Sequence, residues 1–364
     1  MKKWLSILLL ALTLLPAAAF RFQVSLFRFA LMKPRLLVLE LWGLGDLVIA
    51  TPFLRAAAEK FDVTLLAKPF ATELGPRLWP EVEVIPFTAP WTAFRAKYEL
   101  WRWPWLELFR LRSRLVATGF DYGVSARWDP RDHLALKLSG ARARLGFSRL
   151  KSQRYLTQEL ARPDPLAHRY EYWRTAGGAL GLTLPPRGEI FATTRALPPV
   201  VFIHTGARLP LRVWPLENYA ELVARLRQKN YAVQVACDAD QLDWWRARGE
   251  NARCPRSVTE LMGQLDQAGV FIGNDSGPGH LAAAGGLPTF TLFGPQLHEW
   301  FAPLHPAAEI VEGQACPYKP CSDYCRFAEP FCLRGRTVAE VWPRAEAFVQ
   351  KHLFAGPQTP VSEN

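Results

Sequence analysis

Runs of apolar residues alternate with segments of helical periodicity from Arg35 onwards. The first run, residues 35–41, is almost wholly apolar and predicts a strand that is buried on both faces. A glycine-containing turn and a helical pattern over residues 47–61 follow it. Further strand-like segments occupy residues 62–67, 82–87 and 121–126. This succession is typical of a parallel sheet that is flanked by helices.

The pattern stops at a proline-rich stretch, residues 184–199, and then starts again. Such a stretch predicts a domain linker. Strand-like segments then lie at residues 200–206, 231–237, 269–275 and 288–294, and helical ones at 217–229, 257–268 and 276–286. Two α/β units of this kind place a cleft between the carboxyl ends of their sheets. We therefore expect an α/β protein with a leader at 1–31, domains at 32–185 and 200–354, a linker at 186–199 and a tail at 355–364.

The leader has three interpretations. Its basic start, apolar run from Trp4 to Leu15 and small residues at 17–19 are typical of a secretory signal. The mixture of aromatic and basic residues after it would also suit a membrane anchor. A start codon placed too early, with Met32 as the true first residue, is the third interpretation.

Tryptophan and arginine alternate along residues 91–116. An amphipathic helix on the sheet, with its arginines in water, is the simpler interpretation. The other is a surface that meets a membrane or an anionic lipid-linked acceptor.

Composition narrows the class of protein. The 364 residues are 49% hydrophobic and 21% charged, which is enough apolar material for a core and excludes a disordered or fibrous chain. The 30 prolines and 24 glycines follow no period. A net charge of +11 predicts an anionic partner, and nucleic acid, phosphorylated metabolites and lipid headgroups all fit that charge.

The motif WGLGDLVIATP, residues 42–52, follows the first strand directly. Gly43 and Gly45 permit a tight turn before a helix. As a dinucleotide fingerprint the motif is incomplete, because Val48 stands where the third glycine belongs. Asp46 suits two roles, the cap of the helix or a general base at the edge of the cleft.

The segment HTGARLPLRVWP, residues 204–215, follows the first strand of the second half. His204, Thr205 and Gly206 form a polar loop, and Arg208 and Arg212 lie close in sequence. Cations and amides placed there would neutralise a diphosphate. An ordinary loop with surface arginines explains the pattern equally well.

The most informative stretch is GNDSGPGHLAAAGGLPTFTLFGP, residues 273–295. Asp275, Ser276, Gly277 and His280 surround the start of a helix, whose first amides are unpaired and suit a pyrophosphate. A simple helix cap is the weaker interpretation, because three glycines accompany the polar residues.

In order and spacing these three motifs resemble glycosyltransferase family 9, the ADP-heptose:lipopolysaccharide heptosyltransferases. The resemblance covers residues 33–349. It implies a GT-B fold of two Rossmann-like domains whose parallel sheets face each other across a cleft. It also implies inverting transfer of heptose from ADP-heptose to a lipopolysaccharide core acceptor, either lipid A–Kdo or a heptosylated form, without a required cofactor or metal.

The resemblance also implies roles for individual residues. Asp46 corresponds to the family's general base, and Gly45, Thr51 and Arg127 lie on the acceptor side. Asp240 lies near the family's ribose-binding acid, although the sequence around it lacks the usual glycine-rich turn. The donor-side residues are Thr205, Gly206, Arg212, Asp240, Asp275, Ser276, Gly277 and His280.

Four cysteines, Cys316, Cys321, Cys325 and Cys332, lie within 17 residues of one another. They could hold a structural zinc ion or an iron–sulfur cluster, but their spacing does not match a C-x2-C knuckle. Reduced thiols or a local disulfide are favoured, since family members often carry cysteine in this region.

An enzyme of this family needs a cytoplasmic nucleotide sugar. We therefore expect it in the cytoplasm at the inner face of the membrane, which favours an anchor or a misplaced start codon over a secretory signal. The expected partners are the donor, a phosphorylated lipid-linked acceptor and an anionic membrane surface, and not nucleic acid. The alternatives are a related enzyme that uses another nucleotide sugar for surface glycans, and a non-catalytic nucleotide-sugar-binding protein at the membrane.

Overall fold

A computed structural model describes residues 33–93, 97–193, 197–321 and 324–353. The predicted leader at 1–31, Met32 and the predicted tail at 355–364 lie outside the described residues. So does Arg95 of the tryptophan- and arginine-rich segment.

The first half of the chain forms a sheet of six parallel strands in the order β3-β2-β1-β4-β5-β6. Its central strand β1 is buried along almost its whole length, as the apolar run predicts. The strands are β1 (Arg35–Glu40), β2 (Asp62–Ala67), β3 (Glu83–Pro86), β4 (Tyr122–Ser125), β5 (Ala143–Gly146) and β6 (Gln158–Glu159). The helices are α1 (Leu44–Ile49), α2 (Thr51–Lys60), α3 (Ala71–Leu78), α4 (Trp105–Thr118), α5 (Pro130–Leu138) and α6 (Arg169–Ala179).

The second half forms a separate sheet of five parallel strands in the order β11-β10-β9-β7-β8. The strands are β7 (Val200–His204), β8 (Ala232–Ala236), β9 (Val270–Asn274), β10 (Thr289–Phe293) and β11 (Ala308–Glu312). The helices are α7 (Leu216–Gln228), α8 (Leu242–Arg246), α9 (Val258–Leu265), α10 (Gly277–Ala284), α11 (His298–Phe301), α12 (Phe331–Arg334) and α13 (Val338–Leu353).

These two parallel sheets confirm the α/β prediction, and two local expectations change. The helix predicted over 47–61 is two helices, which meet at Ala50, because Pro52 starts a new helix as its second residue. The segment 91–116 is not one helix either. Pro104 precedes α4, and short 3-10 turns at Pro90–Thr92 and Leu100–Arg102 come before it.

The strand order fixes where polar loops converge. In the first sheet β1 lies between β2 and β4, and in the second β7 lies between β8 and β9. Loops that leave two such neighbouring strands in opposite directions open a crevice at the carboxyl end of the sheet. Most of the candidate residues follow β1 and β4 in one half and β7 and β9 in the other, at the carboxyl ends of the two sheets.

The two halves share apolar contacts. One continuous core cluster includes Leu36 and Phe53 from the first half and Phe202 and Phe271 from the second. Its edge carries polar links between α3 and α9: Arg77 Nη1 donates to Asp266 Oδ2 (2.8 Å), and Glu73 Oε2 accepts from the Thr259 amide (2.9 Å). The halves are therefore packed together as well as joined by the chain.

Among the described residues, none of the helices combines the length and the apolar character that a bilayer-spanning segment requires.

Candidate active site

Asp46 lies in the first turn of α1, at the carboxyl end of β1. Its Oδ2 accepts a hydrogen bond from the Gly43 amide (3.0 Å), so the carboxylate stabilises the start of the helix. Its Oδ1 pairs with the Arg127 guanidinium. The side chain keeps 18% of its surface exposed. Asp46 therefore stabilises the start of α1 and still keeps its carboxylate accessible.

Arg127 follows β4 and lies against two acidic side chains. Besides its pair with Asp46, its Nε lies 4.0 Å from Glu40 Oε1. The guanidinium also lies over the Trp42 ring, 5.3 Å from its centre. Because the ring and the carboxylates fix the guanidinium on several sides, Arg127 holds the Asp46 carboxylate in place.

Glu40 and Asp132 are buried carboxyl groups next to this pair, and neither is among the site residues predicted from the sequence. Burial raises the pKa of Glu40 to about 8, the neighbouring Asp46 and Asp132 add to the rise, and Arg127 opposes it. Burial likewise raises the pKa of Asp132 to about 6. Asp132 accepts hydrogen bonds from Trp91 Nε1 (2.9 Å) and Trp42 Nε1 (3.4 Å).

One signal for Glu40 was present in the sequence. It is the single acidic residue in an otherwise apolar strand, and it stands at the carboxyl end, where sites form. No comparable signal marks Asp132, which becomes part of the site only because Trp42 and Trp91 fold onto it.

Asp275 occupies the corresponding position of the second half, after β9. Its Oδ2 lies 3.2 Å from Arg212 Nη1. Burial raises its pKa to about 6, with Arg212 opposing the rise and Asp46 adding to it. The next residue, Ser276, occupies the N-cap position of α10, but its hydroxyl donates to the Asn274 carbonyl (3.2 Å) instead of capping the helix. The predicted polar cluster is therefore assembled at the start of α10.

The starts of α1 and α10 meet. A Cβ added to Gly45 would lie 2.5 Å from His280 Cδ2, and one added to Gly277 would lie 2.7 Å from Leu44 Cδ2. Only glycine leaves room for this approach. Burial lowers the pKa of His280 to about 4, so its imidazole is neutral at pH 7. Gly45, Asp46 and Arg127 of the first half thus lie beside Asp275, Gly277 and His280 of the second.

Two predicted residues lie inside the fold. The Thr51 hydroxyl, fully buried in α2, accepts a hydrogen bond from Trp79 Nε1 (3.3 Å). The Thr205 hydroxyl, also fully buried, donates to Gln241 Oε1 (2.8 Å) and accepts from Trp245 Nε1 (3.2 Å). Both hydroxyls stabilise the protein interior, and the structure does not bring them to the surface of the site.

The loop after β7 meets a different acidic residue from the expected one. Gly206 lies against Asp238, and a Cβ on this glycine would fall 2.2 Å from Asp238 Cγ. Burial raises the pKa of Asp238, and the nearby Asp240 adds to the rise. Asp240 itself lies two residues further on, exposed, in a 3-10 turn.

Two further cations adjoin the site, and the sequence analysis did not select them. Lys68 follows β2, and burial and the charge of Arg208 lower its pKa, while Asp46 and Glu40 oppose this. Arg169 begins α6, and burial lowers its pKa to about 10. A lysine directly after a buried strand is the signal that could have identified Lys68.

Arg169 joins the two halves through aromatic rings. Its guanidinium lies 4.1 Å from the centre of Trp128 in the first half and 4.8 Å from that of Trp300 in the second. Backbone carbonyls add two links: His168 Nε2 lies 2.9 Å from the Ala302 oxygen, and Trp300 Nε1 donates to the Pro165 oxygen (2.7 Å).

The four clustered cysteines are free thiols that line one small cavity with Leu211, Pro295 and Lys319. Burial raises the pKa of Cys321 and of Cys332, which keeps both thiols protonated. Within residues 33–93, 97–193, 197–321 and 324–353, no group of three or more His, Cys, Asp or Glu side chains is arranged to hold a metal ion.

Two parallel sheets, with crevices that face each other and a carboxylate opposite an arginine-lined helix start, define the GT-B class of glycosyltransferase fold. Two solved structures share it. The ADP-heptose lipopolysaccharide heptosyltransferase II of Escherichia coli has a TM-score of 0.64 at 17% identity, over 87% of this chain and 99% of its own. The E. coli heptosyltransferase WaaC with ADP also scores 0.64, at 18% identity, over 86% and 99%.

Sequence comparison adds a match that lies mostly in the second half of the chain. Residues 175–330, fewer than half of the chain, match the model of glycosyltransferase family 9 (heptosyltransferase). Lipopolysaccharide heptosyltransferase 3 of E. coli strain K12 is 34% identical over 116 residues, which are 28% of this chain and 33% of that protein. The chain thus spans about a third of the length of the curated relatives that it matches.

We expect Gly45→Ala to destabilise the protein, because the new methyl group must displace His280 or separate α1 from α10. Overpacking of this kind costs about 1–3 kcal/mol in the free energy of unfolding, measured by urea denaturation. Gly263→Ala, in α9 and with open space around it, is the matched control and should be neutral or slightly stabilising. Equal stability of the two variants would contradict the close contact.

Glu40 makes stability fall as pH rises. The folded protein binds its proton more tightly than the unfolded chain, whose glutamate carboxyl has the ordinary pKa of 4.5, so stability is lost between about pH 4.5 and about pH 8. Glu40→Gln should therefore flatten the decline of Tm over this range. Asp62→Asn, at the exposed start of β2, should leave the slope unchanged. An identical slope in Glu40→Gln and the unaltered protein would overturn this assignment.

Proposed function

We propose that the protein is an inverting glycosyltransferase, which transfers heptose from ADP-heptose to a lipopolysaccharide core acceptor and uses Asp46 as the general base. The observation that carries this proposal is the meeting of the two motifs: Gly45, next to Asp46, lies against His280 of the Asp275 cluster. The family match and the names of the relatives support heptose as the sugar and lipopolysaccharide as the acceptor class.

The reaction is a single displacement. The acceptor hydroxyl approaches Asp46, which takes its proton as the oxygen forms a bond to the anomeric carbon. The bond from that carbon to the diphosphate breaks from the opposite face, so the configuration inverts. Arg127 and the Gly43 amide hold the Asp46 carboxylate while it accepts the proton.

The leaving diphosphate carries growing negative charge, which the second half can stabilise. Arg212 supplies a guanidinium, and the start of α10 supplies amides and the positive end of a helix dipole. Neutral His280 adds no competing charge. In place of Asp240, which the resemblance implied, we propose Asp238 as the ribose-binding acid, because Asp238 contacts the Gly206 loop.

The acceptor side consists of carboxylates and cations that come from the ends of β1, β2 and β4. Glu40, with a pKa near 8, is protonated at neutral pH, so Asp46 is the main anionic partner of Arg127. Lys68 and Arg169 add positive charge near Asp46. This charge suits a phosphorylated acceptor at the inner face of the cytoplasmic membrane.

A related enzyme with a different sugar or acceptor is the second candidate. The family model covers residues 175–330, so most of the first half lies outside the match. Release of ADP, UDP or GDP from a panel of nucleotide sugars in the presence of lipid A–Kdo separates the candidates. Release of ADP from ADP-heptose alone supports heptosyl transfer, whereas turnover of another donor supports the alternative.

Asp46→Asn should lower the rate of heptosyl transfer by about 10²–10⁴-fold, since the amide cannot accept the proton. ADP affinity, measured by calorimetry, should stay within about twofold, because a removed base costs rate rather than donor binding. Asp62→Asn, remote from the site, serves as the control. Full transfer activity in Asp46→Asn would show that another group is the base.

Arg212→Gln should weaken ADP binding by about 10–100-fold, which corresponds to the loss of a charge-assisted contact of about 1.5–3 kcal/mol. The control is Arg246→Gln, which removes one arginine charge from the exposed surface of α8, outside the site. Titration calorimetry with ADP measures both variants. Unchanged affinity in Arg212→Gln would remove this residue from the donor site.

A further inference from the structure

Exposed apolar side chains concentrate in one stretch of the first half. Tyr98, Trp101, Leu106 and Phe109 each expose more than 60% of their surface. Leu100, Trp105 and Val116 are exposed in the same stretch. We call residues 97–116 the α4 surface. Scattered single exposed apolar residues are ordinary in proteins, but a contiguous group marks an interaction site.

Helix α4 has two apolar faces. Leu108, Leu111 and Leu115 point inwards and pack on the core cluster of the first sheet. Trp105, Leu106 and Phe109 lie on the opposite side, in solvent. An ordinary surface helix carries polar residues there, so the packing of the fold does not account for the second face.

Positive charge surrounds this outer face. Residues 97–116 contain five basic and two acidic side chains. Arg102 pairs with Glu99, and Arg114 pairs with Glu83. Arg110 and Arg112 have no ion-pair partner among the residues that the structure describes. A surface of aromatic, aliphatic and arginine side chains is complementary to the headgroup layer of an anionic bilayer.

A row of tryptophans connects the α4 surface to the active site. Trp105 lies 5.7 Å from Trp103, ring centre to ring centre, and Trp103 lies 5.8 Å from Trp91. Trp91 in turn donates its hydrogen bond to the buried Asp132. The outer end of this row is exposed, and its inner end touches the carboxylate cluster around Arg127.

We propose that the α4 surface docks the protein on an anionic lipid bilayer, with Trp101, Leu106 and Phe109 inserted among the lipids and Arg110 and Arg112 at the headgroups. Burial of the apolar side chains supplies part of the binding free energy, and the attraction of the arginines to anionic lipid supplies the rest. Because the tryptophan row ends at Asp132, the docked surface holds the acceptor side of the cleft next to the lipid. This last consequence rests on the proposed function, and the docking itself does not.

Vesicle flotation of the full chain tests the docking. We expect binding to vesicles made of equal parts of phosphatidylcholine and phosphatidylglycerol, and less binding to phosphatidylcholine alone or at high salt. The double variant Leu106→Ser/Phe109→Ser should lower the partition by about tenfold or more. Arg110→Gln/Arg112→Gln should lower it on anionic vesicles by a similar factor.

Matched controls remove the same groups elsewhere. Leu150→Ser/Leu166→Ser changes two other exposed leucines, and Arg246→Gln/Arg256→Gln removes two other exposed charges. Both controls should bind vesicles as the unaltered protein does. Thermal unfolding followed by circular dichroism should give a similar Tm for all variants, which establishes that they are folded and does not depend on the proposed donor binding.

Hydrogen–deuterium exchange locates the contact, because residues 1–31 could also bind lipid. The proposal requires that anionic vesicles protect peptides from residues 97–118. Vesicle binding that leaves these peptides unchanged would overturn it and assign the contact to the leader. Equal protection of these peptides without vesicles would also overturn it, because the leader or a second copy of the chain would then cover the surface.

Discussion

The close approach of two helix starts is the constraint on which the rest of this site depends. Gly45 and Gly277 lack side chains where α1 meets α10, and this lets the backbone of each half reach the other. His280 and Leu44 fill the space that remains. The carboxylate of Asp46 and the cluster around Asp275 come from sequence positions more than 200 residues apart, and this contact brings them next to each other.

The same packing determines the charges where the two halves meet. Glu40, Asp132 and Asp275 are buried, and burial raises the pKa of each carboxyl group. Arg127 and Arg212 offset part of the cost, one in each half. The result is a site whose charge is set by a few fixed pairs, with Asp46 more exposed than the buried acids around it. Preorganised charges of this kind suit the proposed reaction, which moves negative charge from an acceptor oxygen to a diphosphate.

Much of the fold could be predicted from apolar runs, because parallel strands buried on both faces leave an unmistakable pattern. The strand at Asp62–Ala67 matches its predicted range in full. Strands β5, β6 and β11 were missed, since arginine, glutamine or glutamate interrupts the apolar pattern in each of them. Prolines explain why the predicted helices at 47–61 and 91–116 are each broken in the structure.

Within the site, motif residues could be chosen from their position in loops after strands. Asp132 and Arg169 could not, because they join the site through tertiary contacts with tryptophans, which no local pattern records. Thr51 and Thr205 are the opposite case. Their motif positions predicted a place in the site, but their hydroxyls are buried and stabilise the interior.

The aromatic rings around Arg169 affect how easily the two halves can separate. One guanidinium lies on Trp128 from the first half and on Trp300 from the second, so any movement that separates these rings takes the cation off one of them. Unlike an exposed salt bridge, a cation held between rings is little weakened by salt. The energy of this contact is therefore part of the cost of parting the halves. In the proposed function, parting the halves to exchange spent nucleotide for a new donor carries this cost.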